Sequence, residues 1–67
     1  MIKFKIKELL EKNNMSRYKL EQYTSLSYRR INDYYFNRVE FIKVEELEEL
    51  CNLFNCGIQD IIEFKKK

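Results

Sequence analysis

The chain of 67 residues contains no proline and only one glycine, Gly57. These two residues are the usual markers of turns and helix ends. The starts and ends of secondary structure must therefore be inferred from the spacing of apolar residues and from capping side chains. Apolar residues recur at helical spacing in short runs, so the sequence predicts a chain of short amphipathic helices.

Five short helices are predicted in this way. Ser16 and Ser27 are good N-caps for the second and third, because a serine hydroxyl can accept a hydrogen bond from an N–H of the first helical turn. The fourth has a clear apolar stripe with glutamates on its outer side, and it ends at the Asn55-Cys56-Gly57 break. The predicted helices cover residues 6 to about 13, 16–23, 27–35, 44–54 and 58–62.

The fold class that follows is all-α, a compact bundle in one domain of residues 1–67 whose apolar stripes pack helix against helix. The alternation in MIKFKI and in IIEFK could instead pair the two chain ends as short strands, and fraying ends are a further alternative. The expected core consists of Ile6, Leu9, Leu10, Leu20, Leu26, Ile31, Leu47, Leu50, Phe54 and Ile61.

The net charge of +2 conceals an uneven distribution. Residues 1–43 carry ten basic and five acidic side chains, a balance of +5, whereas residues 44–67 carry three and six, a balance of −3. This asymmetry favours a surface that faces a polyanion. No apolar run is long enough to span a membrane and the start of the chain does not resemble a signal peptide, so a soluble cytoplasmic protein is expected.

The sequence offers little for catalysis or metal binding. It has no histidine and only two cysteines, Cys51 and Cys56, whereas a zinc site takes about four such ligands. Without a histidine base, a glycine-rich phosphate loop or an activator for either thiol, we expect no enzyme activity, cofactor, metal or small-molecule ligand. The cysteines lie among helix-spaced apolar residues and are expected to be buried free thiols, with a disulfide as the alternative.

Residues 24–31, with the sequence TSLSYRRI, join the second and third predicted helices. The second helix is too short to be stable alone. Leu26 is expected to point inward as the apolar residue of the turn, and Ser27 to cap the helix that follows. A helix-turn-helix is the resulting prediction.

The run SRYKLEQYTSLSYRRINDYY, residues 16–35, resembles the helix-turn-helix of lambda-repressor-like, Cro-type (Xre family) DNA-binding domains. The run VEELEELCNLFNCGIQDIIEF, residues 44–64, is similar to the fourth and fifth helices of small members of that family. The resemblance implies a compact five-helix bundle that binds operator DNA, often as a dimer. It assigns the core leucine of the first motif helix to Leu20, the apolar turn residue to Leu26, the recognition-helix cap to Ser27 and the buried β-branched position to Ile31.

The sequence departs from the family pattern at two positions. Where the family commonly has alanine after the core leucine, this chain has Glu21, and where it has a glycine in the turn, this chain has Ser25. Ser25 is expected to take over the left-handed backbone of that glycine, at a cost on the order of 1 kcal/mol. Glu21 is expected either to pair with Arg30 or Lys19, or to hold the two helices slightly apart.

The candidate DNA contacts are of two kinds. Side chains from the first two turns of the recognition helix would read base edges in the major groove: Arg29 suits guanine, Asn32 adenine and Asp33 the amino group of cytosine. Tyr28 suits a thymine methyl group or a phosphate. An ordinary solvated helix face is the alternative. The candidate phosphate contacts are Arg17, Lys19, Ser27, Arg30, Asn37, Arg38 and Lys43.

The expected function is that of a sequence-specific double-stranded DNA-binding transcriptional regulator of the repressor kind. A homodimer is the assembly that the family resemblance suggests. The alternative is a protein-interaction module of the same fold, such as an antitoxin or inhibitor that binds a partner protein. Tyr34 has the spacing to pack inward. Tyr35 or Phe36, if exposed, would offer a dimer or partner surface, unless all three aromatics close the core.

Overall fold

A computed structural model describes residues 1–66 of the protein. Lys67, the last residue of the predicted single domain, lies outside the described residues, and the extent of that domain stays a prediction. Within residues 1–66, no helix is long and apolar enough to cross a membrane. In chain order the elements are β1 (Ile2–Phe4), α1 (Ile6–Lys12), α2 (Arg17–Tyr23), α3 (Tyr28–Tyr35), α4 (Val44–Phe54), a 3-10 turn (Ile58–Asp60) and β2 (Ile62–Phe64).

Four α-helices form in residues 1–66, where five were predicted. The fifth is replaced by the 3-10 turn and by β2, which runs antiparallel to β1 with Ile62 opposite Phe4. The N–H of Lys5 continues this pairing by donating to the carbonyl oxygen of Ile61 at 2.7 Å. Pairing satisfies backbone groups at both chain ends, whereas one more helical turn would leave its terminal carbonyls free. The predicted alternative of paired chain ends is confirmed.

Three asparagines follow the ends of α1, α3 and α4, where a left-handed glycine is often found in other proteins. Asn14, Asn37 and Asn55 have φ values of 53°, 59° and 50°, and no other non-glycine residue among residues 1–66 has a positive φ. Asparagine adopts this left-handed conformation more readily than other residues with a side chain. The amide of the residue after each asparagine then donates to a carbonyl in the last turn of the helix, as in Schellman-type ends. These bonds are Met15 to Leu10 (2.9 Å), Arg38 to Asp33 (2.7 Å) and Cys56 to Cys51 (3.1 Å).

The two predicted serine caps are confirmed. The hydroxyl oxygen of Ser16 accepts a hydrogen bond from the N–H of Lys19 at 3.1 Å, at the start of α2. The hydroxyl oxygen of Ser27 accepts one from the N–H of Arg30, also at 3.1 Å, at the start of α3. Each satisfies an amide that has no partner within its own helix.

The buried core lies between the helices and under β1. Eight of its residues were predicted. Leu47 and Phe54 were also predicted to be core residues, but they are only half-buried at its edge, and Val44, at the start of the apolar stripe of α4, is exposed. Phe4 was not predicted, and it is buried because its ring packs edge-on against Tyr34, with ring centroids 5.2 Å apart. Tyr34 packs inward as predicted. The core comprises Phe4, Ile6, Leu9, Leu10, Leu20, Leu26, Ile31, Tyr34, Leu50 and Ile61.

Candidate nucleic-acid interface

Helices α2 and α3 form the predicted helix-turn-helix, and side-chain hydrogen bonds hold the turn between them. The hydroxyl of Thr24 donates to the carbonyl oxygen of Leu20 at 2.8 Å and accepts from the N–H of Leu26 at 3.3 Å. Leu26 is buried, as expected of the apolar residue of the turn. The end of α2 and the start of α3 are therefore joined by a rigid connection with Leu26 as its apolar anchor.

Ser25 does not adopt a left-handed backbone, so that expectation was wrong. Its N–H and its hydroxyl both donate to the carboxylate of Glu49 on α4, at 3.1 and 2.7 Å. This carboxylate provides an acceptor for the turn and ties the helix-turn-helix to α4. The turn therefore needs no glycine at this position.

Glu21 was expected, as one of two alternatives, to pair with Arg30 or Lys19, but it contacts neither side chain by a hydrogen bond or ion pair among residues 1–66. Its side chain is half-buried, and its Oε2 accepts a hydrogen bond from the N–H of Tyr28 at 3.2 Å. Tyr28 is the first residue of α3, where a carboxylate also interacts favourably with the helix dipole. Glu21 thus adds a second cap to the start of α3, beside that of Ser27.

Arg30, a predicted phosphate contact, is held within the fold. Its guanidinium donates three hydrogen bonds of 2.8–3.0 Å to Glu46 and one of 2.6 Å to the carbonyl oxygen of Phe41. The side chains of Arg30 and Glu46 are only 17% and 12% exposed. The hydroxyl of Tyr34 donates to the same carboxylate at 2.8 Å. Within the fold Arg30 joins α3 to α4, because these donors are directed at protein acceptors. Its contact with phosphate stays a prediction.

The ionisation of this network follows from its hydrogen bonds. Burial raises the pKa of Glu46, but the hydrogen bonds from Arg30 and Tyr34 outweigh it, so that the pKa lies below its ordinary value. Burial is also the main reason why the pKa of Tyr34 is raised, and the neighbouring Glu46 carboxylate raises it further. The hydrogen bond to Glu46 raises the pKa of Arg30. At neutral pH the carboxylate and guanidinium are charged and the hydroxyl is neutral, which is the protonation state that the three groups need to bind one another.

Asn37, another predicted phosphate contact, holds β1 in place. Its Oδ1 accepts from the N–H of Phe4 at 2.9 Å, and its Nδ2 donates to the carbonyl oxygen of Ile2 at 3.3 Å. The amide therefore pairs with the strand edge that β2 leaves open. Asn37 thus follows the end of α3 and holds β1 beside it. Its contact with phosphate stays a prediction.

The other predicted phosphate contacts lie at the surface. Lys19, Ser27 and Lys43 are exposed, and the hydroxyl of Ser27 keeps its own hydrogen to donate. The side chain of Arg38 is 60% exposed, with a long ion-pair contact of 3.6 Å to Asp33 and with its guanidinium 5.1 Å from the ring centroid of Phe36. These side chains are accessible to a ligand, and their contacts with phosphate stay predictions.

Arg17 connects the start of α2 to the outer face of α3. Its guanidinium carbon lies 4.5 Å from the ring centroid of Tyr35, 5.4 Å from that of Phe36 and 5.7 Å from that of Tyr28. Its Nη1 donates to Oδ1 of Asn32 at 2.6 Å. We call Arg17, Asn32 and these three rings the Arg17 cluster. The cluster holds a positive charge beside the predicted base-reading residues.

The four predicted base contacts share one face of α3. Positions 28, 29, 32 and 33 recur at the spacing of one helical turn, so their side chains point in similar directions. Tyr28 and Arg29 are exposed, whereas Asn32 and Asp33 are half-buried. Among residues 1–66, the Arg29 side chain makes no hydrogen bond and no ion pair. Its five N–H donors are therefore free for a ligand.

Cys51 and Cys56 are free thiols, and both are half-buried rather than buried as expected. Burial raises the pKa of Cys56, and Cys51 and the carboxylate of Asp60 raise it further. A thiol with a raised pKa is a weak nucleophile at neutral pH. Within residues 1–66, no group of three or more His, Cys, Asp or Glu side chains is arranged to hold a metal ion.

The fold and the exposed polar face of α3 define a helix-turn-helix protein of the DNA-binding type. A family model described as the Cro/C1-type HTH DNA-binding domain matches residues 5–67, and the chain belongs to this family. The predicted resemblance is thus confirmed, and DNA binding by a regulator is the general function that it supports. Neither the curated proteins nor the solved structures include a match to the chain.

Proposed function

We propose that this protein is a sequence-specific transcriptional repressor that reads double-stranded DNA in the major groove with α3. The observation that supports this most strongly is the exposed face of α3. It presents Arg29, which has no hydrogen-bond or ion-pair partner among residues 1–66, next to Tyr28, Asn32 and Asp33. The opposite face of the helix is buried through Ile31 and Tyr34, so the reading face is held rigidly.

The side chains on this face suit different base edges. Arg29 can donate two hydrogen bonds to guanine, and Asn32 can pair with adenine through its amide. Asp33 can accept a hydrogen bond from the amino group of cytosine, because its 3.6 Å contact with Arg38 is too long to be a hydrogen bond and leaves the carboxylate oxygens able to accept. Tyr28 can contact a thymine methyl group with its ring or a phosphate with its hydroxyl.

Phosphate contacts would orient α3 in the groove without reading sequence. After the internal pairing of Arg30 and Asn37, the remaining candidates are exposed or lie at the surface in the Arg17 cluster. Each cation that meets a phosphate releases counterions, so the affinity should fall steeply with salt. The proposed phosphate contacts are Arg17, Lys19, Ser27, Arg38 and Lys43.

Repression requires only that the protein occupy its operator and exclude other proteins, which this interface alone can achieve. We also propose a homodimer, because Ile2, Phe41 and Ile42 border one hollow and are 45%, 66% and 38% exposed. Exposed apolar side chains of this size favour association. Of the two aromatic residues predicted as a dimer or partner surface, Phe36 is 53% exposed and Tyr35 is half-buried. Phe36 is therefore the better candidate for contact with a partner.

A second candidate function is the binding of a partner protein. The exposed apolar side chains around Phe41 would suit such a partner equally well. In addition, the carboxylate of Glu21 lies at the start of α3, where it would repel a DNA phosphate. Stable capture of one partner protein in the absence of DNA would favour this reading.

Selection of duplexes from a random pool tests the proposal. A repressor of this kind should enrich a defined sequence motif, and a dimer should enrich two half-sites with centres roughly 34–36 Å apart. The matched control is Lys66→Ala, which removes one positive charge from the chain end after β2 and should enrich the same motif. A pool without enrichment at low salt would contradict the proposal and favour the protein-binding alternative.

A further inference from the structure

We infer that Arg17 sets the base specificity of Asn32 by preventing a flip of the Asn32 side-chain amide, which would exchange the positions of its oxygen and its NH2 group. The inference rests on the proposed function of α3. A guanidinium group has only donors, so the Asn32 atom that lies 2.6 Å from Nη1 of Arg17 must be the carbonyl oxygen. The NH2 group of Asn32 is then the end of the amide that Arg17 leaves free.

Two features keep the amide in this orientation. The hydrogen bond from Arg17 is charge-assisted and therefore about twice as strong as a neutral one, and turning the amide would bring its NH2 donors against those of the guanidinium. Arg17 itself is half-buried and lies over the ring of Tyr35 at 4.5 Å. Tyr28 and Phe36 flank it, so the donor that fixes Asn32 is itself held in place.

An amide that is held in one orientation distinguishes between bases, whereas an amide that can flip would bind to either kind of base edge. In the major groove both purines present N7 as an acceptor, whereas cytosine presents an amino donor. The free NH2 of Asn32 requires an acceptor, and one lone pair of Oδ1 remains for the amino group of adenine. Asn32 should therefore favour a purine over cytosine, and this discrimination should depend on Arg17.

Other roles of Arg17 predict different results. If Arg17 only contacted a phosphate, its removal would weaken binding to every duplex by the same factor. If the bond to Asn32 only held α2 to α3, its loss would lower stability and leave the base preference unchanged. The informative quantity is therefore the ratio of affinities for duplexes that differ at a single base pair.

The test uses the site selected by the wild-type protein, with each base pair varied in turn. The wild type should show one position at which a purine is preferred to cytosine by on the order of tenfold. Arg17→Met keeps an unbranched side chain for packing but removes the donors. This variant should bind all duplexes more weakly, and its preference at that one position should fall towards equality.

Two further variants complete the test. Arg17→Lys still donates to Oδ1 and should keep the purine preference. Asn32→Asp still pairs with Arg17 but presents an acceptor to the base, so the preference at the same position should reverse towards cytosine. An Arg17→Met variant with an unchanged affinity ratio at every position would overturn the inference and leave the proposed function intact. A wild type without any base preference would instead contradict the proposed function itself.

Discussion

Replacing Glu46 with alanine should destabilise the protein strongly, because this one carboxylate joins α3 to α4. It accepts three hydrogen bonds from Arg30 and one from the hydroxyl of Tyr34. Both donors lie largely away from water, with the side chain of Arg30 17% exposed and Tyr34 1% exposed. Glu46→Ala would leave a desolvated charge and a buried hydroxyl without their acceptor.

The magnitude follows from this loss. Removing one partner of a buried ion pair costs about 3–5 kcal/mol, and because this pair retains some contact with water we expect about 3 kcal/mol. A chain of this length has a total stability of roughly 3–10 kcal/mol. The melting temperature should therefore fall by about 12–24 °C.

Thermal and urea unfolding, followed by circular dichroism, measure this effect. The matched control is Glu45→Ala, since Glu45 is exposed and also lies in the first turn of α4. Its substitution should change the stability by no more than about 0.5 kcal/mol. The double variant Arg30→Met/Glu46→Met should recover part of the loss, because no charge remains buried. Equal destabilisation by Glu46→Ala and Glu45→Ala would refute the reasoning.

Three other predictions concern stability. The hydrogen bonds to Glu46 hold its folded pKa below the ordinary value of a glutamate, so its contribution to stability is present above that ordinary value and is lost as the pH falls through the folded pKa. Acid titration of the unfolding free energy should therefore be steeper for wild type than for Glu46→Gln. Leu50→Ala should cost about 2–5 kcal/mol in urea unfolding by leaving a cavity, and near-wild-type melting would contradict the described core. Reductant should not change the melting temperature, because Cys51 and Cys56 are free; a decrease would reveal a disulfide.

Local signals in the sequence predicted much of the fold. The serine caps and the apolar spacing identified the helix-turn-helix, since a cap and its amide lie within one turn of each other. The ends of α1, α3 and α4 were also encoded locally, by Asn14, Asn37 and Asn55, but asparagine is a weaker signal than glycine. The fifth helix was wrongly predicted because β2 depends on β1, at the other end of the chain.

The candidate site was less predictable, because the availability of a polar side chain depends on distant partners. Arg30 looked like a surface cation until the fold brought Glu46 of α4 against it. Glu21 and Ser25 depart from the family pattern, and the sequence alone gives no reason for either residue. In the fold Glu21 accepts a hydrogen bond from the first residue of α3, and Ser25 donates one to Glu49 of α4. An acidic helix following a basic helix-turn-helix was the one sequence signal that could have suggested such pairs.

In the proposed interface, α3 reads bases while other cations contact phosphate. Titration of wild type, Arg29→Ala and Arg38→Ala against the selected and a scrambled duplex, at two salt concentrations, tests it most directly. Arg29→Ala should lose about 1–3 kcal/mol on the selected duplex and much less on the scrambled one. Arg38→Ala should weaken both similarly and reduce the salt dependence, because fewer counterions are released. Identical binding curves for all three proteins would contradict the proposed interface and favour a protein partner.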